Sequence, residues 1–120
     1  MTRDLIDRLS KLDAPDREVD GEIWRYLMAG EPRAVLHGPI PKLTASVDAA
    51  IALAERVLPG WTFEHIGQDY IRARGLENDV MPMGWTVEIS DGSQTIQGQA
   101  PTFPLAICIA LLRAKEASKP

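Results

Sequence analysis

The sequence is poor in the residues from which most recognisable sites are built. It holds a single cysteine, Cys108, so no disulfide can form within the chain, and such sparse cysteine fits a reducing cytoplasm. It holds two histidines, His37 and His65, and neither H-x-x-x-H nor C-x-x-C spacing, so no metal-ligand set can be assembled from them. No G-x-S-x-G, P-loop or G-x-G-x-x-G occurs. The carboxylates Asp69, Glu77, Asp79, Glu88 and Asp91 show no spacing that pairs them for acid–base work, and they read as solvated strand and turn residues. Basic residues are also scarce: 13 Lys and Arg against 17 Asp and Glu give a formal charge of -4. A dedicated nucleic-acid binder carries a basic surface, so this balance points away from one. No apolar run approaches the ~20 residues that cross a bilayer. The opening "MTRDLIDRLSKL" has no apolar h-region and carries acids early, which is not the pattern of a signal peptide. These absences predict a binding protein rather than an enzyme, with no cofactor, no metal, no membrane and no nucleic acid.

What is present fits one domain of 120 residues with 45% apolar and 25% charged residues. Leu5, Ile6, Leu9 and Leu12 recur at helical spacing after Thr2, a candidate N-cap. "DAPD" is a turn, and Asp16 is a second N-cap with Glu18 and Asp20 in the first helical turn. Val19, Ile23, Tyr26 and Leu27 form the stripe of this second helix, Trp24 sits beside it, and Gly30 is its stop. These two helices predict a hairpin over residues 1–30. "EPRAVLHGPIPK" is a proline-rich connection, with a short extended piece at "AVLH".

"LTASVDAAIALAERVLPGW" is the clearest central helix, capped by Thr44 or Ser46 and ended by Pro59-Gly60. Beyond it the period falls to 2. "WTFEHIG", "DYIRARG", "GWTVEIS" and "QTIQGQA" alternate as strands of an antiparallel sheet. Trp61, Phe63 and His65 are expected on one face. Gly67-Gln68 is read as a turn between the first two strands, "LENDVMPMG" as a longer loop, and Asp91-Gly92 as a tight turn between the last two. The last helix, about Thr102 to Ala117, is apolar almost all round, with Pro104 in its first turn. Such a helix must be central to the core. The fold class that follows is α+β: a small antiparallel sheet of three or four strands packed by two long helices on one face. The helical hairpin is expected on the other face or reaching to a partner. Residues 31–120 form the core of what is overall a single domain.

The segments "DREVDGEIW", "LTASVDAAIALAERVLPGW", "GWTVEI" and "APTFPLAICIALLRAKEA", in that order, resemble the phage ABA sandwich family of small phage and prophage proteins. The likeness rests on Thr44-Ala45-Ser46-Val47-Asp48-Ala49-Ala50, on Trp61, and on Ala100 through Ala114 with Pro101, Leu105, Ala106, Cys108, Ala110, Leu111 and Leu112. It extends from Asp16 to Ala117. The resemblance implies an α/β sandwich, a phage origin and hence the cytoplasm of a bacterial host. The family carries no established catalytic residues, so none transfers.

Two features are candidate binding sites. Both long helices begin with hydroxyl residues near proline, "PKLTAS" and "APTFP". Helix N–H groups with Lys42, Thr44, Ser46 and Thr102 would favour an anion, although plain capping uses the same residues. Tyr70, Arg72 and Arg74 lie on one strand face near Trp61 and Trp85. Arginine forks and aromatic faces suit a phosphate-bearing base, and pairing of those arginines with Glu64 and Glu88 across strands would use them structurally. Two functions follow. One is a module that sequesters a small anionic, nucleotide-like ligand of bacterial defence signalling through Lys42, Thr44, Ser46, Arg72, Arg74 and Thr102. The other is a protein–protein inhibitor or structural accessory protein acting on a host or phage partner through Trp24, Trp85 and Met81–Met83. An enzyme would require Asp or Glu beside His65 in a cleft. The apolar helices and three tryptophans also admit a homo-oligomer.

Overall fold

The computed structural model describes residues 2–29, 31–32, 38–72 and 80–117, with backbone alone for Thr2 and residues 69–72 and 80–83. Its elements are α1 (Thr2–Ser10), α2 (Arg17–Leu27), α3 (Val47–Val57), β1 (Thr62–Arg72), β2 (Val80–Ser90), β3 (Thr95–Ala100) and α4 (Phe103–Ala117). The architecture is α+β, with one antiparallel sheet in the order β1-β2-β3. No described helix is long and apolar enough to cross a membrane.

Helix starts follow the side chains that cap them. Asp16 accepts from the backbone N–H of Glu18 and Val19 and begins α2. Ser46, not Thr44, caps α3 by accepting from the N–H of Ala49. Thr102 accepts from the N–H of Leu105 at 3.5 Å at the start of α4. The β2–β3 turn is closed by Asp91, whose Oδ1 accepts from the N–H of Ser93 and of Gln94, each at 2.9 Å. Gly92 takes φ +95° there, a conformation that glycine adopts without the Cβ clash of other residues.

α4 is the centre of the molecule. It lies on β2 and β3, and both α1 and α3 pack against it. Residues 105–112 are therefore buried all round. At ~2 kcal/mol for each buried Leu or Ile side chain, its five large aliphatics contribute on the order of 10 kcal/mol, comparable with the whole stability of a small domain. The approach is closest at Gly98, where an added Cβ would lie 2.3 Å from Ala106 O and 2.4 Å from Ala110 N. Arg113 fixes the same contact by donating to Gln97 O at 3.0 Å.

Among the described residues α4 covers one face of the sheet, and on the other Thr86 and Ser90 of β2 are still buried. Val87, Ile89 and Ala100 are buried with Ile96 and Phe63 beside them, whereas Thr62, His65, Thr95, Gln97 and Gln99 on the opposite face are exposed. The expected hairpin over that second face is not found. α1 packs on α4 and touches β3, because an all-apolar α4 needs cover on the sides turned away from the sheet.

Three strand expectations are corrected. β1 runs unbroken through Gly67-Gln68, so no turn occurs there. The "LENDVMPMG" loop contributes Val80–Gly84 to β2, with 76–79 outside the described residues. The strict alternation of Phe63 with His65 fails at a bulge: Phe63 pairs with Ile89 and His65 with Glu88, leaving Glu64 over. One extra residue reverses the pleat, so His65 faces outward and Ile66 inward, opposite Val87. The "AVLH" segment, Gly30 and His37 lie outside the described residues.

β3 pairs only with Trp85–Ser90, so β1 and β2 run on past it as a two-stranded ribbon. The molecule is accordingly long, 56 × 33 × 24 Å. Its radius of gyration is 15.3 Å, against about 14 Å for a compact chain of this length. Trp85 stacks on Phe103 where the ribbon leaves the body, with ring centroids 4.6 Å apart.

Candidate functional site

The hydroxyls expected to form an anion site are engaged internally. Thr44 is buried, and its N–H and Oγ–H both donate to Asp20 Oδ1 at 2.7 Å. Its Oγ in turn accepts from the N–H of Asp16 at 2.8 Å. Arg17 donates to Asp20 Oδ2 at 2.9 Å and to the carbonyls of Ile40 and Pro41. This cluster fastens α2 to the chain that leads into α3. Next to it, Cys108 donates from Sγ to Leu43 O at 3.4 Å. Burial, and secondarily the charge of Asp20, pushes the Cys108 thiol up to about 12. It is an inert buried thiol.

Lys42 is exposed in the turn before α3, and Ser46 and Thr102 cap their helices. Arg72 is the last residue of β1, described by its backbone, and Arg74 lies outside the described residues. Glu64 and Glu88 have partners near at hand: Thr62 donates to Glu64, and Gln97 to Glu88. Trp24, expected at an interface, is buried in the core. His65 stands opposite Glu88 on the open sheet face, and that carboxylate accepts from Gln97.

A different place gathers charge around a concavity. A groove of about 820 Å³ lies between α1, α2 and the last turn of α4. Leu5 and Leu27 form its apolar floor, and Tyr26 and Ala29 its wall. Arg8, Arg25 and Lys115 line it with Asp4 and Glu22, a net of one positive charge in a chain whose formal charge is -4. Arg8 pairs with Glu22 and thereby ties α1 to α2. Arg25 is exposed and, among the described residues, has no ion pair. Its guanidinium lies back along α2 over Gly21, where an added Cβ would sit 3.1 Å from Nη1. The groove thus offers an apolar floor, one aromatic ring and the Arg25 cation, with Asp4 as a carboxylate that, like Arg25, has no ion pair among the described residues.

Thr102 and Lys115 are 13 residues apart, about 20 Å along the helix at 1.5 Å per residue. The groove and the expected α4 N-terminal site therefore sit at opposite ends of α4. The sequence signal for the groove was weak. Asp4 and Arg8 are spaced i,i+4 and Glu22 and Arg25 i,i+3, ordinary spacing on any wet helix face. Tyr26 read simply as part of the α2 core stripe. No family model matches the chain, and neither a curated protein nor a solved structure does.

Proposed function

We propose that this chain is a non-enzymatic binding protein that takes up a small anion with an apolar or aromatic body in the α1–α2–α4 groove. A nucleotide has the required chemistry. The observation that carries the reading is Arg25, which has no ion pair among the described residues, beside a concavity of small-molecule size, sites for such ligands spanning roughly 300–1,000 Å³. Arginine forks suit phosphate or carboxylate oxygens, and Tyr26 supplies a ring for the body of the ligand. In the phage setting that the sequence resemblance implies, such a protein would withhold a nucleotide signal of the host's defence.

Native mass spectrometry after incubation with a set of nucleoside monophosphates tests this. A mass gain of one nucleotide per chain, absent in Arg25→Glu, is expected. No gain with any of them would overturn the reading. A protein partner is the second reading, favoured by the β1–β2 ribbon beyond β3, whose sequence includes Tyr70, Ile71, Val80, Met81 and Met83. Tyr, Met and Arg are enriched at interfaces. A photo-crosslinker at Met83 should then capture one discrete protein from a bacterial lysate, and one placed at Glu55 on α3 should not.

A further inference from the structure

β1 is an outer strand, and its second edge has no pairing partner among the described residues. Proteins usually blunt such an edge with charged side chains, proline or a bulge. β1 is bulged at Glu64 and charged at Asp69 and Arg72, but within its regular run from His65 to Arg72 the stretch His65–Gln68 has no proline, lysine, arginine or carboxylate. The second irregularity falls on β2, where Met83 is left over. In the middle of the regular run stands Ile66, 40% exposed and the one large hydrophobic so exposed among the described residues. It faces the helical side of the sheet, beyond the cavity that the end of α3 lines with Trp61, Phe63 and Ile89.

We propose that this edge pairs antiparallel with the β1 edge of a second copy, with the two-fold axis at Gln68. The sequence of β1 is complementary to itself in that register. Ile66 comes opposite Tyr70 on both sides of the axis, and Gln68 opposite its own copy. Aromatic–aliphatic pairs are favourable cross-strand neighbours. Moving the axis one residue, to Gly67, sets Ile66 against Gln68 instead of Tyr70. It also sets Phe63 against Ile71 across the bulge, which turns the two to opposite faces. An isologous pair closes on itself. It gives a six-stranded sheet, β3-β2-β1-β1-β2-β3, with all helices on one side. It also lays each ribbon along the other copy's body. That supplies the third strand a two-stranded ribbon needs for stability. The inference is independent of what the groove binds.

Light scattering on the eluting protein should give twice the 13.2 kDa chain mass, and Ile66→Lys, a change at an exposed side chain, should halve it with an unchanged circular dichroism spectrum. Oxidised Gln68→Cys should form a disulfide-linked dimer. Gly67→Cys, offset from its own copy by two residues, should not. A monomer at the highest soluble concentration would overturn the proposal. So would a dimer that survives Ile66→Lys and leaves Gln68→Cys uncrosslinked.

Discussion

Gly98→Ala measures how closely α4 lies on the sheet. The new Cβ would meet Ala106 O at 2.3 Å, Ala110 N at 2.4 Å and Ala110 Cα at 2.9 Å. All three are backbone atoms of α4, so no side-chain rotation relieves the clash. The helix must lift or the strand must bend, and α4 carries most of the core with it. Overpacking by one methyl group costs about 1–3 kcal/mol, and the absence of any soft neighbour puts this case near 3 kcal/mol. For a domain of this size, about 4 °C per kcal/mol makes that a fall of about 12 °C in Tm. Gly67→Ala is the control. Its Cβ would meet His65 Nε2 at 2.8 Å, but this is the tip of an exposed side chain that can swing away, and a change within ~0.5 kcal/mol is expected. Urea unfolding followed by circular dichroism gives both values. Equal stability of the two variants would refute the close backbone packing of α4 on β3.

Asp20→Ala strips the partner from two buried donors of Thr44 and from Arg17. Chemical denaturation should show a loss of about 3 kcal/mol, since an unsatisfied buried group costs about 1–3 kcal/mol; a loss under ~1 kcal/mol would contradict the fastening role given to the cluster. Cys108, with its thiol pushed up to about 12, should resist a thiol-reactive dye in native protein at mildly alkaline pH and react only as fast as the protein unfolds. Prompt labelling would place it outside the core. Asp91 is held down to about 2 from 3.8, chiefly by the Ser93 N–H and then by that of Gln94. Its folded value is the lower one, so its contribution is complete above about pH 4 and fades as pH falls toward 2. The stability gap between wild type and Asp91→Ala should shrink over that window, and a gap that widened on acidification would contradict the turn geometry.

Much of the fold is legible where one local interaction decides it. Asp16 and Ser46 cap the helices that follow them because a short polar side chain reaches the free N–H groups of the first turn. Asp91-Gly92 makes its turn for similarly local reasons. The all-round apolar character of residues 105–112 identifies the central helix, although not the elements that cover it. Legibility fails where the outcome depends on distant partners. The bulge at Glu64 is a matter of register with β2, and it moves Ile66 and His65 to faces opposite those that alternation assigns. Thr44 has the sequence of a cap, and only the arrival of Asp20 from α2 turns it into a buried fastening. The groove draws its cations from Arg8, Arg25 and Lys115, on three separate helices. Each looks like an ordinary wet residue until the packing of α1 and α2 brings them together.

In the proposed function the groove, rather than the helix N-termini, receives a small anion. Amide chemical-shift mapping of isotope-labelled protein titrated with nucleoside monophosphates tests it most directly. Saturable shifts are expected at Asp4–Arg8, Glu22–Ala29 and Lys115, and they should disappear in Arg25→Glu. Shifts confined to Lys42–Ser46 and Thr102, or none anywhere, would contradict it.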